Sequence, residues 1–249
     1  MSDCCGEADT CCMLIRFSRQ SLYIWISNTS TLTASPIRNI IFDYGGVIID
    51  LHMKRTEDAF LQLGVQDFHL HFNQLKQSTV FDQFDKGKIT EQEFRQQLNL
   101  ALGTQLSDEQ INDAWNAMLG TIPPEKLKLL QDVKRHFRTF LLSNTNIIHL
   151  KKLTKYLVQF LGRPNLDTYF EKVYYSFVAG LRKPDAAIFL KVMEENNLRP
   201  AATLFIDDSP QHVEGARAVG LHAVLYDPKE DLRAVLEKYL QVKTGIPDY

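Results

Sequence analysis

The sequence predicts an α/β fold, a Rossmann-like doubly wound parallel sheet with an inserted all-helical domain. From residue 37 onward, short apolar runs alternate with amphipathic runs, which is typical of a parallel sheet covered by helices on both faces. Residues 54–119 interrupt this alternation, because they carry helix signals and no convincing strand. Several apolar runs end in polar or acidic residues, and such sheets place their functional groups at the carboxyl ends of the strands.

The predicted core begins with an apolar strand over 38–42. This strand delivers Asp43 to its carboxyl end, where Gly45 and Gly46 form a turn. After two prolines the alternation resumes and predicts these elements in order: a helix over 124–135, a strand over 138–142 ending in Ser143-Asn144, a helix, a strand over 172–175, a loop with Lys183, a helix over 186–195, a strand ending in Asp207-Asp208, a helix ending at Gly220, and a last strand over 222–226. Four polar strand ends or loops are therefore expected at one edge of the sheet.

The segment 203–210 is the most informative part of the predicted core, because its apolar strand ends in two adjacent carboxylates, Asp207 and Asp208. Ser209 and Pro210 then occupy favoured first positions of a helix, with Ser209 expected to cap it. Carboxylates at the end of a buried strand cost free energy to desolvate, so they usually serve a cation or a reaction. Helix capping would explain either acidic strand end alone, but together with Asp43 they predict one site for a hard cation.

The insert is predicted to be a small helical bundle that caps the site. Two capping boxes, Thr90 with Glu93 and Ser107 with Gln110, open helices within it. Apolar residues at helical spacing follow each box and are expected to form the core of the bundle: Phe94, Leu98, Leu102, Ile111, Trp115 and Met118. The predicted domain boundaries are 1–36 for an N-terminal extension, 37–53 and 120–249 for the core, and 54–119 for the cap.

Composition limits the partners of this chain. It has 249 residues, of which 45% are hydrophobic, and a formal net charge of −2. A near-neutral charge argues against nucleic acid or an anionic membrane surface as the main partner. No apolar stretch reaches the ~20 residues that span a bilayer, so we expect no membrane insertion. The oligomeric state, monomer or homodimer, stays open.

The first 36 residues differ in character from the rest. All four cysteines of the chain lie there: Cys4, Cys5, Cys11 and Cys12. Their spacing lacks the C-x-x-C pattern of zinc sites, and the cysteine-free remainder suits a reducing, cytoplasmic location. We expect residues 1–36 to be a weakly ordered extension that is dispensable for the fold and the chemistry.

The four polar segments, in this order and with a helical insert after the first, resemble the haloacid dehalogenase (HAD)-like hydrolase superfamily, in the subfamily with a helical C1 cap. The segments are Asp43, Ser143-Asn144, Lys183 and Asp207-Asp208, and the resemblance covers about residues 37–228. It implies a Mg²⁺-dependent phosphomonoester hydrolase. The implied substrate is a small phosphorylated metabolite such as a sugar phosphate.

The resemblance also implies a role for each residue of these segments. Asp43 would attack phosphorus as a carboxylate nucleophile and form an aspartyl-phosphate. Mg²⁺ would contact Asp43, the main-chain carbonyl of Gly45 and Asp208, with Asp207 acting through water or from the second coordination sphere. The phosphoryl oxygens would be held by four residues: Ser143, Lys183, Asn144 and Gly46.

One position departs from the pattern of the superfamily. Most of its phosphatases carry a second aspartate two residues after the nucleophile, as general acid and base, and here that residue is Gly45. Such a group is typically worth about 100- to 10,000-fold in rate, so its absence favours less basic leaving groups or slow turnover. The sequence resembles the branch of the superfamily that contains bacterial α-glucose-1-phosphate phosphatases, which also tolerates glycine at this position. A turn that needs positive φ would also explain the glycine. His52 and Arg55 are candidates to assist, although such residues are commonly hinge or surface groups.

Other functions remain open at this stage. A 2-haloacid dehalogenase would use Asp43 on carbon without a metal, but two further carboxylates would then repel its carboxylate substrate. A phosphomutase would need the acid–base group that Gly45 lacks. A phosphate- or partner-binding protein that has lost turnover is compatible with Gly45, although the other site residues are intact. The physiological substrate does not follow from the sequence.

Overall fold

The computed structural model describes residues 37–240 except 67, 69 and 71–78. The predicted extension over 1–36 therefore lies outside the described residues. Five strands form one sheet in the order β3-β2-β1-β4-β5, and all neighbouring pairs are parallel. The strands are β1 (Asn39–Phe42), β2 (Arg138–Ser143), β3 (Lys172–Tyr175), β4 (Thr203–Asp207) and β5 (His222–Leu225). The predicted parallel sheet is confirmed, and each predicted strand agrees with its observed strand to within about one residue at either end.

Helices alternate with these strands along the chain. Within the described ranges they are α1 (Met53–Gln62), α2 (Thr79–Asp85), α3 (Glu91–Leu102), α4 (Asp108–Asn116), α5 (Pro124–Lys134), α6 (Ile147–Leu161), α7 (Ser176–Ala179), α8 (Ala186–Asn196), α9 (Pro210–Ala218) and α10 (Leu232–Leu240). A short 3₁₀ turn, Pro200–Ala202, precedes β4. None of the helices in this described part is both long and apolar enough to cross a lipid bilayer.

Helices cover both faces of the sheet, because alternate strand residues point to opposite sides. Ile40 and Phe42 pack into one buried cluster with apolar residues of α5, α6 and α10. Ile41 packs into a second cluster on the other face, with residues of α8 and α9. The sheet is therefore doubly wound, as predicted from the alternation of apolar and amphipathic runs.

The register of the central strands brings the polar strand ends together. Phe42 pairs with Leu141 of β2 and with Ile206 of β4. Just past the end of β1, the Asp43 N–H donates to the carbonyl of Ile206 at 2.9 Å. Asp43 is therefore next to the last residue of β4, Asp207, although the two are far apart in sequence.

The helices α1 to α4 build a second core, to which Ile148 of α6 also contributes. Their buried residues form a separate cluster rich in aromatic rings, in which Phe84 stacks on Phe94 at a ring-centroid distance of 4.1 Å. Both predicted capping boxes are present: in each, the cap side chain accepts from the N3 backbone, and the N3 side chain accepts from the cap backbone. The all-helical character predicted for this segment is confirmed for its described residues, and its action as a cap stays a prediction.

The chain leaves the core and returns to it through two paired segments. Asp50 N–H donates to the Thr121 carbonyl at 3.1 Å, and Gly120 N–H donates to the Asp50 carbonyl at 2.9 Å. His52 N–H likewise donates to the Met118 carbonyl at 2.8 Å. The predicted boundaries at residues 53 and 120 fall at this linker, and the division into two domains stays a prediction.

Candidate active site

Lys183 is the centre of the site, because its ammonium lies buried between two carboxylates. Nζ is 2.7 Å from Oδ1 of Asp43 and 2.6 Å from Oδ2 of Asp207, and the Lys183 side chain is fully buried. Burial opposes the charge on Lys183, but the two carboxylates outweigh it and hold its pKa above the usual value. The structure thus brings together three residues that the sequence placed at separate strand ends and loops.

The two carboxylates beside Lys183 differ in their surroundings. Burial raises the pKa of Asp43 to about 7, with Lys183 lowering it and Asp207 raising it further. Asp207 is also buried, but Lys183 and His212 hold its pKa below the usual value. Asp207 accepts from His212 Nδ1 at 3.0 Å and from Ser209 N–H at 2.8 Å. Its oxygens are thus occupied, and its indirect role at the metal stays a prediction.

Ser209 occupies the predicted cap position of α9, and Pro210 follows at the first helical position. The Ser209 side chain makes no capping hydrogen bond, however, so this part of the prediction is wrong. The backbone of Ser209 instead donates to Asp207, because the Asp207 carboxylate turns back toward the start of the helix. Ser209 therefore helps to orient the Asp207 carboxylate, and its side chain does not cap the free N–H groups at the start of α9.

Gly46 makes room for Asp208 beside the nucleophile loop. Its φ is +75°, and a Cβ at this position would lie 2.0 Å from Oδ2 of Asp208. Any side chain would therefore displace the carboxylate. The predicted phosphate contact of Gly46 is not supported, because its N–H already donates to the Ile49 carbonyl at 2.8 Å.

The residues at this edge of the sheet fit a magnesium ion. Asp43 and Asp207 share one buried ammonium, Lys183, and Asp208 adds a third carboxylate beside Gly46, so negative charge is in excess. Burial, and then the charge of Asp207, raise the pKa of Asp208. A divalent cation with oxygen ligands would neutralise this excess. Gly45 lines the adjoining cavity, and its main-chain carbonyl stays a predicted neutral ligand.

Asp43, Gly45 and Asp208 stay the predicted direct ligands of the ion. Asp43, Asp207 and His212 also bring one candidate ligand atom each within 4.8 Å of one another. The Lys183 ammonium, however, already fills the gap between Asp43 and Asp207, and His212 uses Nδ1 on Asp207. The contacts of these three residues therefore already use the atoms that would form this alternative metal site.

Asn144 holds Lys183 in place rather than facing a substrate with its amide. Its Oδ1 accepts from the Lys183 N–H at 2.9 Å, and its Nδ2 donates to the Lys183 carbonyl at 2.8 Å. The predicted amide contact with phosphate is therefore not supported, because both ends of the amide are used. Ser143 ends β2 and, like Asn144, lines the cavity, and its contact with phosphate stays a prediction.

Gly45 does not need a glycine backbone conformation. It is absent from the positive-φ glycines of the described chain, so the turn-geometry explanation is not supported. A Cβ at Gly45 would instead lie 2.6 Å from Cδ1 of Leu51. The Leu51 side chain thus occupies the space that an acid–base side chain at position 45 would take.

A cavity of about 760 Å³ separates the strand ends from the helical segment. Ser143, Lys183 and Gly45 lie at its core side. The helical segment contributes apolar residues, among them Phe81, Trp115 and Met118, together with the carboxylates Asp82 and Asp85. His52 and Arg55 are not among the lining residues, and the His52 ring lies against Gly120. The structure therefore does not bring these two candidates to the site.

Ion pairs join the helical segment to the loop that carries Lys183. Arg182 lies 3.7 Å from Asp82 and 3.5 Å from Asp85, both in α2. On the other side of Lys183, Asp185 pairs with Lys86 at 3.2 Å. Sequence reasoning missed these contacts, because nothing in the spacing shows that α2 docks on this loop.

A buried histidine, His149, also lines the cavity and was not found from the sequence. Its Nδ1 is 2.9 Å from Oδ1 of Asn116, and its ring stacks on Trp115 at a centroid distance of 5.3 Å. Burial lowers the pKa of His149 to about 3, so its imidazole is neutral in the folded protein. The only sequence signal is its place three residues after Asn146, the cap of α6.

His149 gives a testable pH dependence of stability. Its pKa is lower in the fold than in the unfolded chain, so acid protonates the unfolded chain first. We expect the stabilising contribution to be complete above about pH 6.5 and to fall between about pH 6.5 and 3, by at most about 1.4 kcal/mol per pH unit. Urea unfolding of the native protein and of His149→Phe, at several pH values, measures it. The native curve should be steeper over this range, and equal slopes would contradict the assignment.

Comparison with known proteins identifies the family. A family model of haloacid dehalogenase-like hydrolases matches residues 37–220. The chain belongs to this family. It is 30% identical over 200 residues to D-ribitol-5-phosphate phosphatase of Bacteroides thetaiotaomicron, a match that covers 80% of this chain and 97% of that protein. The predicted HAD-like phosphatase, with a Rossmann-like core, is thereby confirmed.

Two solved HAD structures are similar over nearly their whole length. A wild-type HAD-family enzyme of B. thetaiotaomicron, in complex with magnesium and inorganic phosphate, is 35% identical with a TM-score of 0.73, and the match covers 80% of this chain and 98% of that one. A predicted HAD-like hydrolase of Porphyromonas gingivalis is 34% identical with a TM-score of 0.74, covering 84% and 100%. Mg²⁺ as cofactor is confirmed at the level of these relatives. The resemblance to α-glucose-1-phosphate phosphatases is not confirmed by them.

Proposed function

We propose that the chain hydrolyses phosphomonoesters with Mg²⁺ and an aspartyl-phosphate intermediate on Asp43, and that its substrate is a small sugar or polyol phosphate. The observation that carries this proposal is the buried ammonium of Lys183 between Asp43 and Asp207, with Asp208 beside the same loop. Three carboxylates beside one cation suit an anionic phosphate only when a metal ion is also bound. The name of the ribitol-phosphate relative supports the substrate class.

The residues divide the work of two displacement steps. An oxygen of Asp43 attacks phosphorus, a bond from that oxygen to phosphorus forms, and the ester bond breaks with its electron pair on the leaving oxygen. Lys183 and Ser143 hold the phosphoryl oxygens and offset their charge. The leaving oxygen takes a proton from water. A second water then attacks phosphorus and loses a proton to solvent, and the bond from phosphorus to Asp43 breaks with its electron pair on the carboxylate, which releases phosphate. When bound, Mg²⁺ supplies further charge neutralisation at Asp43, Gly45 and Asp208.

The remaining parts of the proposal concern organisation. We propose that residues 54–119 act as a cap over a core domain of residues 37–53 and 120–249, because the paired linker and the cavity wall both lie at their junction. A cytoplasmic location is supported by the absence of cysteine after residue 12. The dehalogenase alternative loses support, because the carboxylate of Asp208 lies close to the nucleophile loop.

The test is release of phosphate from p-nitrophenyl phosphate. We expect turnover with Mg²⁺, loss of turnover with EDTA, and recovery when excess Mg²⁺ is restored. A protein that binds phosphate without turnover would give no release under any of these conditions. Release that is indifferent to EDTA would overturn the metal-dependent mechanism, and halide release from a 2-haloacid would support the dehalogenase alternative.

Gly45 and Leu51 lead to a prediction about leaving groups. With no acid at position 45, kcat/KM should be higher for p-nitrophenyl phosphate and sugar 1-phosphates than for sugar 6-phosphates. Adding Gly45→Asp to Leu51→Ala should favour the 6-phosphates most, by up to about 100-fold, because Leu51→Ala clears the space for the new side chain. Leu51→Ala alone is the control. Equal efficiency of the native enzyme on 1- and 6-phosphates would show that another group donates the proton.

A further inference from the structure

His149 is a buried titratable group that the proposed chemistry does not use. It lines the same cavity as Ser143 and Lys183, at the start of α6. Its position is fixed on two sides, by the hydrogen bond to Asn116 and by the stack on Trp115. The ring therefore has one defined orientation at the wall between the core and the helical segment.

The contact with Asn116 sets which nitrogen of His149 carries the proton. Oδ1 of Asn116 can only accept, so Nδ1 of the neutral ring donates, and Nε2 keeps an unshared electron pair. None of the described residues forms a hydrogen bond with Nε2. Nε2 is also not one of the fully buried side-chain atoms that lack a hydrogen-bond partner, so part of it is accessible. Nε2 is therefore a hydrogen-bond acceptor that is reached from the cavity.

We propose that His149 is a specificity-determining residue, whose Nε2 accepts a hydrogen bond from a hydroxyl group of the alcohol part of the substrate. The favoured substrates then carry at least one hydroxyl besides the esterified oxygen, as polyol and sugar phosphates do. This inference rests on the proposed function and narrows its substrate class.

The surroundings of His149 favour a hydroxyl over other ligands. Neighbouring wall residues, Trp115 and Met118, offer mainly apolar surface, which suits the carbon chain of a polyol. A substrate whose alkyl group carries no further hydroxyl would exclude water from Nε2. The acceptor would then have no hydrogen-bond partner, which costs affinity. In the neutral imidazole the only N–H proton is on Nδ1 and is donated to Asn116, so none is left for the leaving oxygen, and His149 does not replace the missing acid at Gly45.

The test compares D-ribitol 5-phosphate with n-pentyl phosphate, which has the same carbon chain length without the hydroxyl groups. We expect the native enzyme to prefer ribitol 5-phosphate in kcat/KM. In His149→Phe, which keeps a ring against Trp115, the ratio of the two values should fall roughly 10- to 100-fold. His149→Gln keeps a polar acceptor and should restore part of the ratio. Because the ratio compares two substrates within one protein, the fraction of folded enzyme cancels.

His136→Phe is the matched control, because His136 is exposed at the opposite edge of the sheet, and its ratio should equal the native ratio. An unchanged ratio in His149→Phe would overturn the inference, as would equal losses on both substrates in the two His149 variants. Failure of the native protein to hydrolyse either substrate or p-nitrophenyl phosphate with Mg²⁺ would instead overturn the proposed function. The two failures are therefore distinguishable.

Discussion

Replacing Asp43 with asparagine is expected to lower phosphate release by at least about 10,000-fold. The amide keeps the shape of the carboxylate, but it has no charge with which to attack phosphorus or bind a cation. It also weakens the contact with Lys183, whose ammonium is 2.7 Å from Asp43 in the native protein. Steady-state release from p-nitrophenyl phosphate, with freshly purified protein, measures the loss.

Asp50→Asn is the control for this substitution. Asp50 lies on the same stretch after β1, but it faces Lys126 at 3.7 Å rather than the buried lysine of the site. We expect this variant to keep the native rate. A native rate in Asp43→Asn as well would show that the nucleophile is a different residue.

Lys183→Met should affect stability as strongly as turnover. The methionine fills a similar volume but leaves buried Asp43 and Asp207 without their cation. Removing one member of a buried ion pair typically costs about 3–5 kcal/mol, and losing one preorganised donor costs about 100- to 1,000-fold in rate. Urea unfolding and phosphate release measure the two effects. Mg²⁺ should recover part of the stability, because it also neutralises Asp43.

Lys172→Met gives a comparison for Lys183→Met, because Lys172 pairs with Glu195 on the surface. Exposed pairs contribute little to stability, so this variant should unfold close to the native midpoint. A Lys183→Met protein that matched it in stability and rate would contradict the proposed charge balance of the site.

The strands and their acidic ends could be predicted from the sequence because local pattern determines them. A buried strand in a doubly wound sheet is a short apolar run, so the residue after it is placed at the sheet edge wherever the chain goes next. Asp43 and Asp207 were found in this way. The capping boxes at Thr90 and Ser107 were also predictable, because both partners of each box lie within four residues.

The roles of individual side chains depended on contacts between distant segments, and the sequence did not contain them. The Asn144 amide forms hydrogen bonds with the backbone of Lys183. Gly46 lacks a side chain where the Asp208 carboxylate lies. His149 gains its orientation from Asn116, which belongs to a different helix. These pairings follow from how the helical segment and the loops pack, which no local spacing encodes.

The reason for the glycine at position 45 also could not be read from the sequence alone. From the sequence, the glycine was interpreted as a lost acid–base group, with a turn that needs positive φ as the alternative. The structure separates them, because the backbone there has no positive φ and Leu51 lies where the side chain would be. The strained turn is therefore excluded, and an acid–base side chain at this position would have to displace the flexible end of Leu51.

The central claim is that phosphate passes through a covalent bond to Asp43. The most direct measurement is a single turnover of p-nitrophenyl phosphate with excess enzyme and Mg²⁺, quenched in acid at successive times and analysed by peptide mass spectrometry. We expect one phosphoryl group on the peptide that contains Asp43, rising and then decaying as free phosphate appears, and none with EDTA. Free phosphate that appears through the whole turnover with that peptide unmodified, or with the group on another residue, would contradict the mechanism.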